Sequence, residues 1–210
     1  MLDQNLIDKI DVYLKPDYIE IVEGKCQLTE EEDSGRTRLN VSLSGTNSYL
    51  CIRDNDHKAT CEFLNKTKTT GLGRSVDHIL LTRNDNGKWT AHLIEMKSGV
   101  SIKRWNEIKL KARASMLNIK ALAAVLDISL ESIVVYTTYE KLVLGVADPT
   151  NLAGRKPMLG GGWKENEWDK NRIAIRIPKG REEYLTHKGI KMTKERIDAF
   201  DVLCGELSLA

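Results

Sequence analysis

Three ionisable residues in two neighbouring hydrophobic segments, Asp77, Glu95 and Lys97, are the strongest candidates for chemistry in this 210-residue sequence. Asp77 interrupts the apolar segment Ser-Val-Asp-His-Ile-Leu-Leu, and the other two residues end the run Trp-Thr-Ala-His-Leu-Ile-Glu-Met-Lys that starts at Trp89. In an extended strand alternate residues share a face, so Glu95 and Lys97 point the same way. Charges placed on an apolar strand cost several kcal/mol unless they are paired or bind a ligand.

The residues Asn84 to Gly87 predict a turn between these two segments, which makes them an antiparallel hairpin. The hairpin would bring Asp77 close to Glu95. Two carboxylates and the backbone carbonyl of Met96 are oxygen ligands that suit a hard cation such as Mg²⁺ or Mn²⁺. Lys97 would then orient the attacking water or neutralise charge in a transition state. The competing interpretation is an edge strand on which Glu95 and Lys97 are solvated or paired with each other.

The elements around the hairpin follow from the periodicity of apolar residues. Residues recurring every three to four positions predict a long helix from Lys103 to Leu126, followed by a buried strand from Ile133 to Tyr139. The remaining expectations are a helix over Leu2 to Leu14, strands at Tyr18 to Val22, Leu39 to Leu43, Tyr49 to Arg53, Leu142 to Val146 and Arg172 to Ile177, loops at Thr29 to Arg38 and Asp148 to Asp169, and a final helix capped by Thr193 that carries Ile197, Phe200 and Leu203.

The pattern D-x17-E-M-K on a hairpin, followed by a helix and a hydrophobic strand, resembles the PD-(D/E)xK nuclease superfamily. The match covers Thr60 to Tyr139. The resemblance implies an α/β fold with a central mixed sheet flanked by helices in the order αβββαβ. The length of the chain fits one domain, and we expect a single nuclease-like domain over 1–210, with an N-terminal helix and strand extension (1–45), a catalytic core (46–147) and a C-terminal region of a long loop, a strand and a helix (148–210).

The resemblance assigns roles to particular residues. Asp77 takes the place of the motif aspartate, Glu95 that of the second acid and Lys97 that of the lysine, although Val76 stands where relatives often have proline. Relatives often add a metal-binding glutamate from an upstream helix, for which Glu62 is the candidate. A polar or basic residue from the following helix often completes the site, and Lys111 and Arg113 are available for this role.

Basic residues outside the hairpin are candidates for binding nucleic acid. Lys109, Arg113 and Lys120 fall within about 40° of each other on the predicted helix, at roughly 100° per residue. A solvated helix face explains the same pattern equally well. Phosphate contacts are expected from six residues in all: Lys109, Lys111, Arg113, Lys120, Arg172 and Arg176. Trp163 and Trp168 are interpreted as packing anchors of a long loop, with base stacking as the alternative.

Composition narrows the class of protein. Hydrophobic residues make up 41% and charged residues 30% of the chain, which is typical of a globular protein and argues against wholesale disorder. No apolar run is long enough to span a membrane, and neither a signal peptide nor a metal-binding cysteine pattern is present. We therefore expect a cytoplasmic protein without a membrane partner.

These observations together predict a Mg²⁺- or Mn²⁺-dependent endonuclease that hydrolyses nucleic acid. The resemblance favours DNA over RNA and implies a role in restriction, repair or defence against foreign DNA, as a homodimer or within a larger nuclease complex. The alternatives are a non-catalytic nucleic-acid-binding or scaffold subunit that has a nuclease fold, and an RNase that is active only in a larger assembly.

Overall fold

The computed structural model describes residues 2–16, 18–32, 35–43, 48–52, 72–144, 167–177, 182–197 and 200–209. Within them lie two helices, α1 (Gln4–Tyr13) and α2 (Ile102–Leu126). The strands are β1 (Ile19–Glu23), β2 (Lys25–Glu32), β3 (Gly35–Leu43), β4 (Ser48–Ile52), β5 (His78–Arg83), β6 (Trp89–Glu95), β7 (Gly99–Ser101), β8 (Leu130–Tyr139), β9 (Lys141–Val143), β10 (Arg172–Arg176), β11 (Glu182–Lys191), β12 (Thr193–Ile197) and β13 (Phe200–Leu209).

A seven-stranded mixed sheet forms the centre of the protein, in the order β1-β4-β5-β6-β8-β11-β10. Strand β5 pairs antiparallel with both β4 and β6, whereas β6, β8 and β11 are mutually parallel. The predicted hairpin is confirmed, and so is the long helix, which connects β6 to the parallel strand β8. Ser101 caps the start of α2, and Asp127 ends it in a left-handed conformation.

One face of this sheet packs on the two helices. Side chains from alternate positions of β5, β6 and β8 meet the apolar side of α2, including Trp105, Ile108 and Met116. Strand β6 is buried on both sides, since Leu93 on the helix face and Ile94 on the opposite face are both fully inaccessible to solvent. A charged group placed at the end of this strand is therefore removed from water.

A four-stranded sheet in the order β12-β13-β3-β2 covers the other face. Leu39 and Val41 of β3 and Leu207 of β13 pack there against the seven-stranded sheet at Leu80 and Met96. The mixed α/β class is as predicted. The described residues are richer in strands than predicted, because a second sheet lies on the face opposite the two described helices.

The second sheet corrects two predictions. The described residues of the expected loop at Thr29 to Arg38 lie in β2 and β3, where the cross-strand pair of Glu31 and Arg36 brings opposite charges 3.0 Å apart. The expected C-terminal helix is the antiparallel pair β12 and β13. Ile197, Phe200 and Leu203 have helical spacing, but β13 pairs in parallel with β3 from Val202 to Leu209, and this long-range pairing overrides the local pattern.

Strands β1, β4, β9 and β10 lie close to their predicted places, whereas β7 and β11 were not predicted. Strands β7 and β9 form a separate two-stranded parallel sheet. Most of the predicted loop at Asp148 to Asp169, together with Trp163 and Glu62, lies outside the described residues. Neither of the two described helices is both long enough and apolar enough to cross a membrane.

Candidate active site

The hairpin places the two predicted carboxylates opposite each other. His78 pairs with Ile94 in the antiparallel register of β5 and β6, so Asp77 and Glu95 occupy the next position on the two strands. Asp77 is 7% exposed and Glu95 is 1% exposed. Because β6 is covered on both faces, these two acids form a buried pair at the carboxyl end of the strand.

Lys97 lies at the point where three oxygen atoms converge. Its Nζ is 2.8 Å from the Met96 carbonyl oxygen, 3.2 Å from Glu95 Oε1 and 3.4 Å from Asp77 Oδ2. These oxygens belong to the three groups predicted to bind a metal ion. Glu95 and Lys97 do form an ion pair, as in the competing interpretation. The pair is buried, however, and Lys97 also contacts a second acid, Asp77.

A second ammonium group reaches the carboxylates from α2. Lys111 Nζ lies 2.8 Å from Glu95 Oε1 and 3.0 Å from Asp77 Oδ1. The sequence placed Lys111 among the residues expected to bind nucleic acid and, through the family resemblance, among those that could complete the site. Lys111 follows the buried Ile108 by three residues, so it lies at the edge of the apolar face of α2. This spacing indicates a side chain that points toward the sheet.

Burial and charge set the protonation of the site. Burial, followed by the nearby Asp77 carboxylate, raises the pKa of Glu95 to about 7, although Lys111 and Lys97 act in the opposite direction. Burial alone would lower the pKa of Lys111, but attraction to Glu95 and Asp77 outweighs this and raises it. Glu95 Oε2 is buried and has no hydrogen-bond partner among the described residues, so this oxygen can still accept a ligand.

Backbone contacts hold the acids and Lys97 in place. The Met96 N–H donates to Asp77 Oδ2 over 2.7 Å, and the Val76 N–H donates to Ser115 Oγ of α2 over 3.0 Å. Thr138 of β8 accepts a hydrogen bond from the Lys97 N–H and donates one to the Lys97 carbonyl. The roles of Ser115 and Thr138 were not predicted, because a serine or threonine in an apolar segment does not reveal which backbone group it will contact.

The basic stripe predicted along α2 faces other parts of the protein. Lys109 Nζ lies 2.7 Å from Glu167 Oε1, and Lys120 Nζ lies 3.0 Å from Glu183 Oε1. Arg113 is buried and donates to the Arg176 carbonyl over 2.9 Å. Arg113 was expected to contact phosphate, but its guanidinium group is held inside the protein and does not face a ligand at the surface.

The two arginines of β10 lie at the surface, away from the carboxylates. The Arg172 guanidinium lies 4.7 Å from the centre of the Tyr184 ring, and Arg176 Nη2 is 3.7 Å from Glu182 Oε1. Trp168 is buried against Trp105 and His187, as expected of a packing anchor. The structure thus brings only Lys111 of the six predicted nucleic-acid contacts into the site.

The chemistry of the donor atoms fits a hard divalent cation. Two carboxylates and a backbone carbonyl offer oxygen atoms around one point, and the unpartnered Glu95 Oε2 adds a fourth. Within the described part of the chain, no group of three or more His, Cys, Asp or Glu side chains is arranged to hold a metal ion. A cation here would therefore depend on two acids, one carbonyl and water.

Comparisons of the chain with models of protein families, with curated proteins and with solved structures found no match. The functional argument therefore depends on the geometry of the site.

Proposed function

We propose that this protein is a Mg²⁺- or Mn²⁺-dependent endonuclease that hydrolyses phosphodiester bonds, with DNA favoured over RNA as the substrate. The observation that carries the proposal is the convergence of Asp77 Oδ2, Glu95 Oε1 and the Met96 carbonyl on the Lys97 ammonium group, with Lys111 on the other side of the acids. This is a cluster of cation-binding oxygens at the end of a buried strand.

The balance of charges supports a phosphodiester as the substrate. With both acids ionised, the carboxylates of Asp77 and Glu95 and the ammonium groups of Lys97 and Lys111 add to a net charge of zero. A divalent cation bound to the same oxygens would make the cluster positive, and a positive cluster attracts a phosphate anion. When bound, such a cation would polarise a phosphoryl oxygen and lower the pKa of a bound water.

The residues of the chain supply the rest of the chemistry. Once Lys97 leaves the three oxygens, its ammonium group would be free to hold the attacking water or to neutralise charge on the phosphate. Lys111 would keep Asp77 and Glu95 in place and balance their charge.

The order of elements supports the resemblance to the PD-(D/E)xK nucleases. The antiparallel strands β4, β5 and β6 are followed by the short strand β7, by α2 and then by β8, which is parallel to β6. Apart from β7, this order agrees with the βββαβ part of the core that the resemblance implies, and it supports the proposal. The preference for DNA, and a role in restriction, repair or defence, come from the resemblance alone.

A non-catalytic binding or scaffold protein is the alternative, and one observation favours it. The Lys97 ammonium fills the point where the oxygens meet, and together with Lys111 it balances the charge of the two acids without any ligand. In that case neither metal binding nor cleavage would occur. An RNase that is active only in an assembly would bind metal but show no cleavage alone.

The test is cleavage of supercoiled plasmid, linear duplex DNA, single-stranded DNA and RNA by purified protein in Mg²⁺, Mn²⁺ or EDTA. We expect cleavage that depends on the metal and falls about a hundredfold or more in Asp77→Asn and Lys97→Met. Lys109→Met is a matched control, because it removes a similarly exposed lysine that pairs outside the site. Cleavage that survives in both site variants would refute the proposal. A folded wild type that neither cleaves nor binds metal would favour the scaffold.

A further inference from the structure

A small surface beside the acids holds several basic side chains that the sequence analysis did not select. Ser98 follows the site residue Lys97, and its carbonyl accepts hydrogen bonds from the N–H groups of Glu140 and Lys141 over 2.9 and 3.1 Å. The two-stranded sheet of β7 and β9 is thereby attached to the carboxyl ends of β6 and β8. The N-terminus of α2 follows β7 directly.

Four exposed cations lie at the small sheet, at the start of α2 and at the end of β11. We name them the site-edge cations: Lys103, Arg104, Lys141 and Lys191. Arg104 Nη1 donates to the Gly99 carbonyl over 2.9 Å, which fixes the guanidinium above β7. Lys191 Nζ lies 5.5 Å from the centre of the Tyr139 ring. None of the four forms an ion pair with another residue that the structure describes. Their charge is therefore available to a partner.

The nearby acids reduce this charge only in part. Glu107 lies one turn after Lys103 on α2 and is exposed, while Glu140 lies 3.6 Å from Lys194. By contrast, Lys109 and Lys120 on the middle of α2 each have a glutamate within 3.0 Å. The unneutralised positive charge thus lies at the site end of α2 and not along its middle.

We infer that the site-edge cations bind the phosphate backbone of duplex DNA, an inference that rests on the proposed function of the adjacent site. Lys191 pairs in register with Tyr139, and Glu95 pairs with Thr137 of the same strand. With strands about 4.8 Å apart and a rise of about 3.3 Å per residue, Lys191 lies about 12 Å from Glu95. One DNA strand has a phosphate about every 3.4 Å along the helix axis, so this distance spans three or four phosphates.

Exposed apolar side chains among the cations favour nucleic acid over a free anion. Ser101 pairs with Val143 in the small sheet, and Ile102 follows Ser101. Ile102 is 58% exposed and Val143 is 63% exposed. Proteins that bind the minor groove of DNA often insert apolar side chains between base steps, whereas a free phosphate ion offers no apolar surface for them.

The test measures the salt dependence of binding in EDTA, where no cleavage occurs. A fluorescent 20-base-pair duplex is titrated with protein between 50 and 200 mM salt, and log Kd is plotted against log salt. The test variant carries glutamine at all four site-edge cations. The control variant carries glutamine at four exposed basic residues elsewhere: Lys15, Lys25, Arg83 and Lys88.

We expect the slope to fall by about 3.6 in the test variant, since each neutralised contact removes about 0.9. Raising the salt from 50 to 200 mM would then weaken DNA binding by the test variant about 150-fold less than it weakens binding by the wild type. The control should retain the wild-type slope. Ile102→Ser with Val143→Thr should weaken binding without changing the slope, because these side chains carry no charge.

An unchanged slope in the test variant, or an equal loss in the control, would overturn the inference. Tighter binding of an RNA of the same length through the same cations would overturn the choice of DNA. Cleavage by the wild type is scored separately in Mg²⁺. Cleavage without dependence of binding on the site-edge cations would refute only this surface, while binding through them without any cleavage would refute only the proposed catalysis.

Discussion

Replacing Lys111 with methionine should destabilise the metal-free protein far more than the same change at Lys109. The two lysines are closely matched, since their side chains are 24% and 23% exposed and their Nζ atoms lie 2.8 and 2.7 Å from a glutamate oxygen. The glutamates differ, because the Glu95 side chain is 1% exposed and that of Glu167 is 20% exposed. Lys111 also contacts Asp77, so its loss leaves two buried acids with one cation.

The size of the effect follows from how the buried acids can respond. A partly exposed pair such as Lys109–Glu167 contributes up to about 1 kcal/mol, whereas a buried charge that loses its partner costs about 3–5 kcal/mol. Glu95 can limit this cost by taking up a proton, because burial and Asp77 raise its pKa to about 7. At pH 8 that proton costs about 1.4 kcal/mol, and the lost contact with Asp77 adds on the order of 1 kcal/mol.

Lys111→Met should therefore lower the free energy of unfolding by about 2–3 kcal/mol at pH 8, or the Tm by roughly 5–10 °C for a chain of this size. At pH 6 Glu95 is already largely protonated, so the difference between the two variants should shrink by about 1 kcal/mol. Urea unfolding followed by circular dichroism in EDTA at both pH values measures this. Added Mn²⁺ should also narrow the difference, since it replaces the missing positive charge.

Equal losses in the two variants at pH 8 would show that the site acids are not held by Lys111. A difference that grows on acidification would show that Glu95 does not take up the proton. Either result would refute the electrostatic account of the site.

Three further predictions test the fold around the site. Burial, with a smaller contribution from Lys188, lowers the pKa of His92 to about 4. Because the histidine of the unfolded chain takes up a proton near pH 6.5, the free energy of unfolding of the wild type should fall by about 2 kcal/mol relative to that of His92→Gln between pH 7.5 and 5. Urea titrations at the two pH values measure this, and a constant difference between the two proteins would contradict it. Gly189→Ala would place a methyl group 2.6 Å from the Trp168 ring, and thermal unfolding should show a loss of stability of about 1–3 kcal/mol. Gly99→Ala is the control and should lose less, because the nearest atom to its methyl group would be 3.8 Å away. Leu39 is fully buried between the two sheets, so Leu39→Ala should lower the free energy of unfolding by about 2–5 kcal/mol. Tryptophan fluorescence and circular dichroism should follow the same single unfolding transition. Two separate transitions would mean that the sheets unfold independently.

The parts of the fold that the sequence predicted well depend on local signals. The turn residues between β5 and β6 and the apolar runs on either side of them define a hairpin by themselves. The apolar spacing of α2 and its cap at Ser101 define the helix in the same way. Because Asp77, Glu95 and Lys97 lie on this local unit, their convergence could be predicted from the sequence.

The second sheet could not be predicted because its partners lie far apart in the chain. Ser42 of β3 contacts Ser208 of β13, which is 166 residues away. No turn residue or helical spacing encodes such a pairing, and the spacing of Ile197, Phe200 and Leu203 suggested a helix instead. The burial of Leu207 and Leu209 against the central sheet decides the conformation there.

The same distinction explains the basic residues. Lys109 and Lys111 are two positions apart, and helical periodicity alone places both near an apolar face. Only the packing of α2 on the sheet determines that Lys111 meets Glu95 while Lys109 meets Glu167. The site-edge cations became visible only when β7, β9 and the ends of β8 and β11 were placed together.

The energetic cost of the acid pair argues that the site exists to bind something. A network whose role is only structural is often no more stable than apolar residues of similar volume in the same place. Here two acids are buried on a strand that is otherwise apolar on both faces, the pKa of Glu95 is raised to about 7, and one of its oxygens has no hydrogen-bond partner in the described structure. A ligand that brings positive charge to these oxygens would relieve all three features at once. A cation does so directly, and the phosphate it attracts would lie between Lys97 and the site-edge cations.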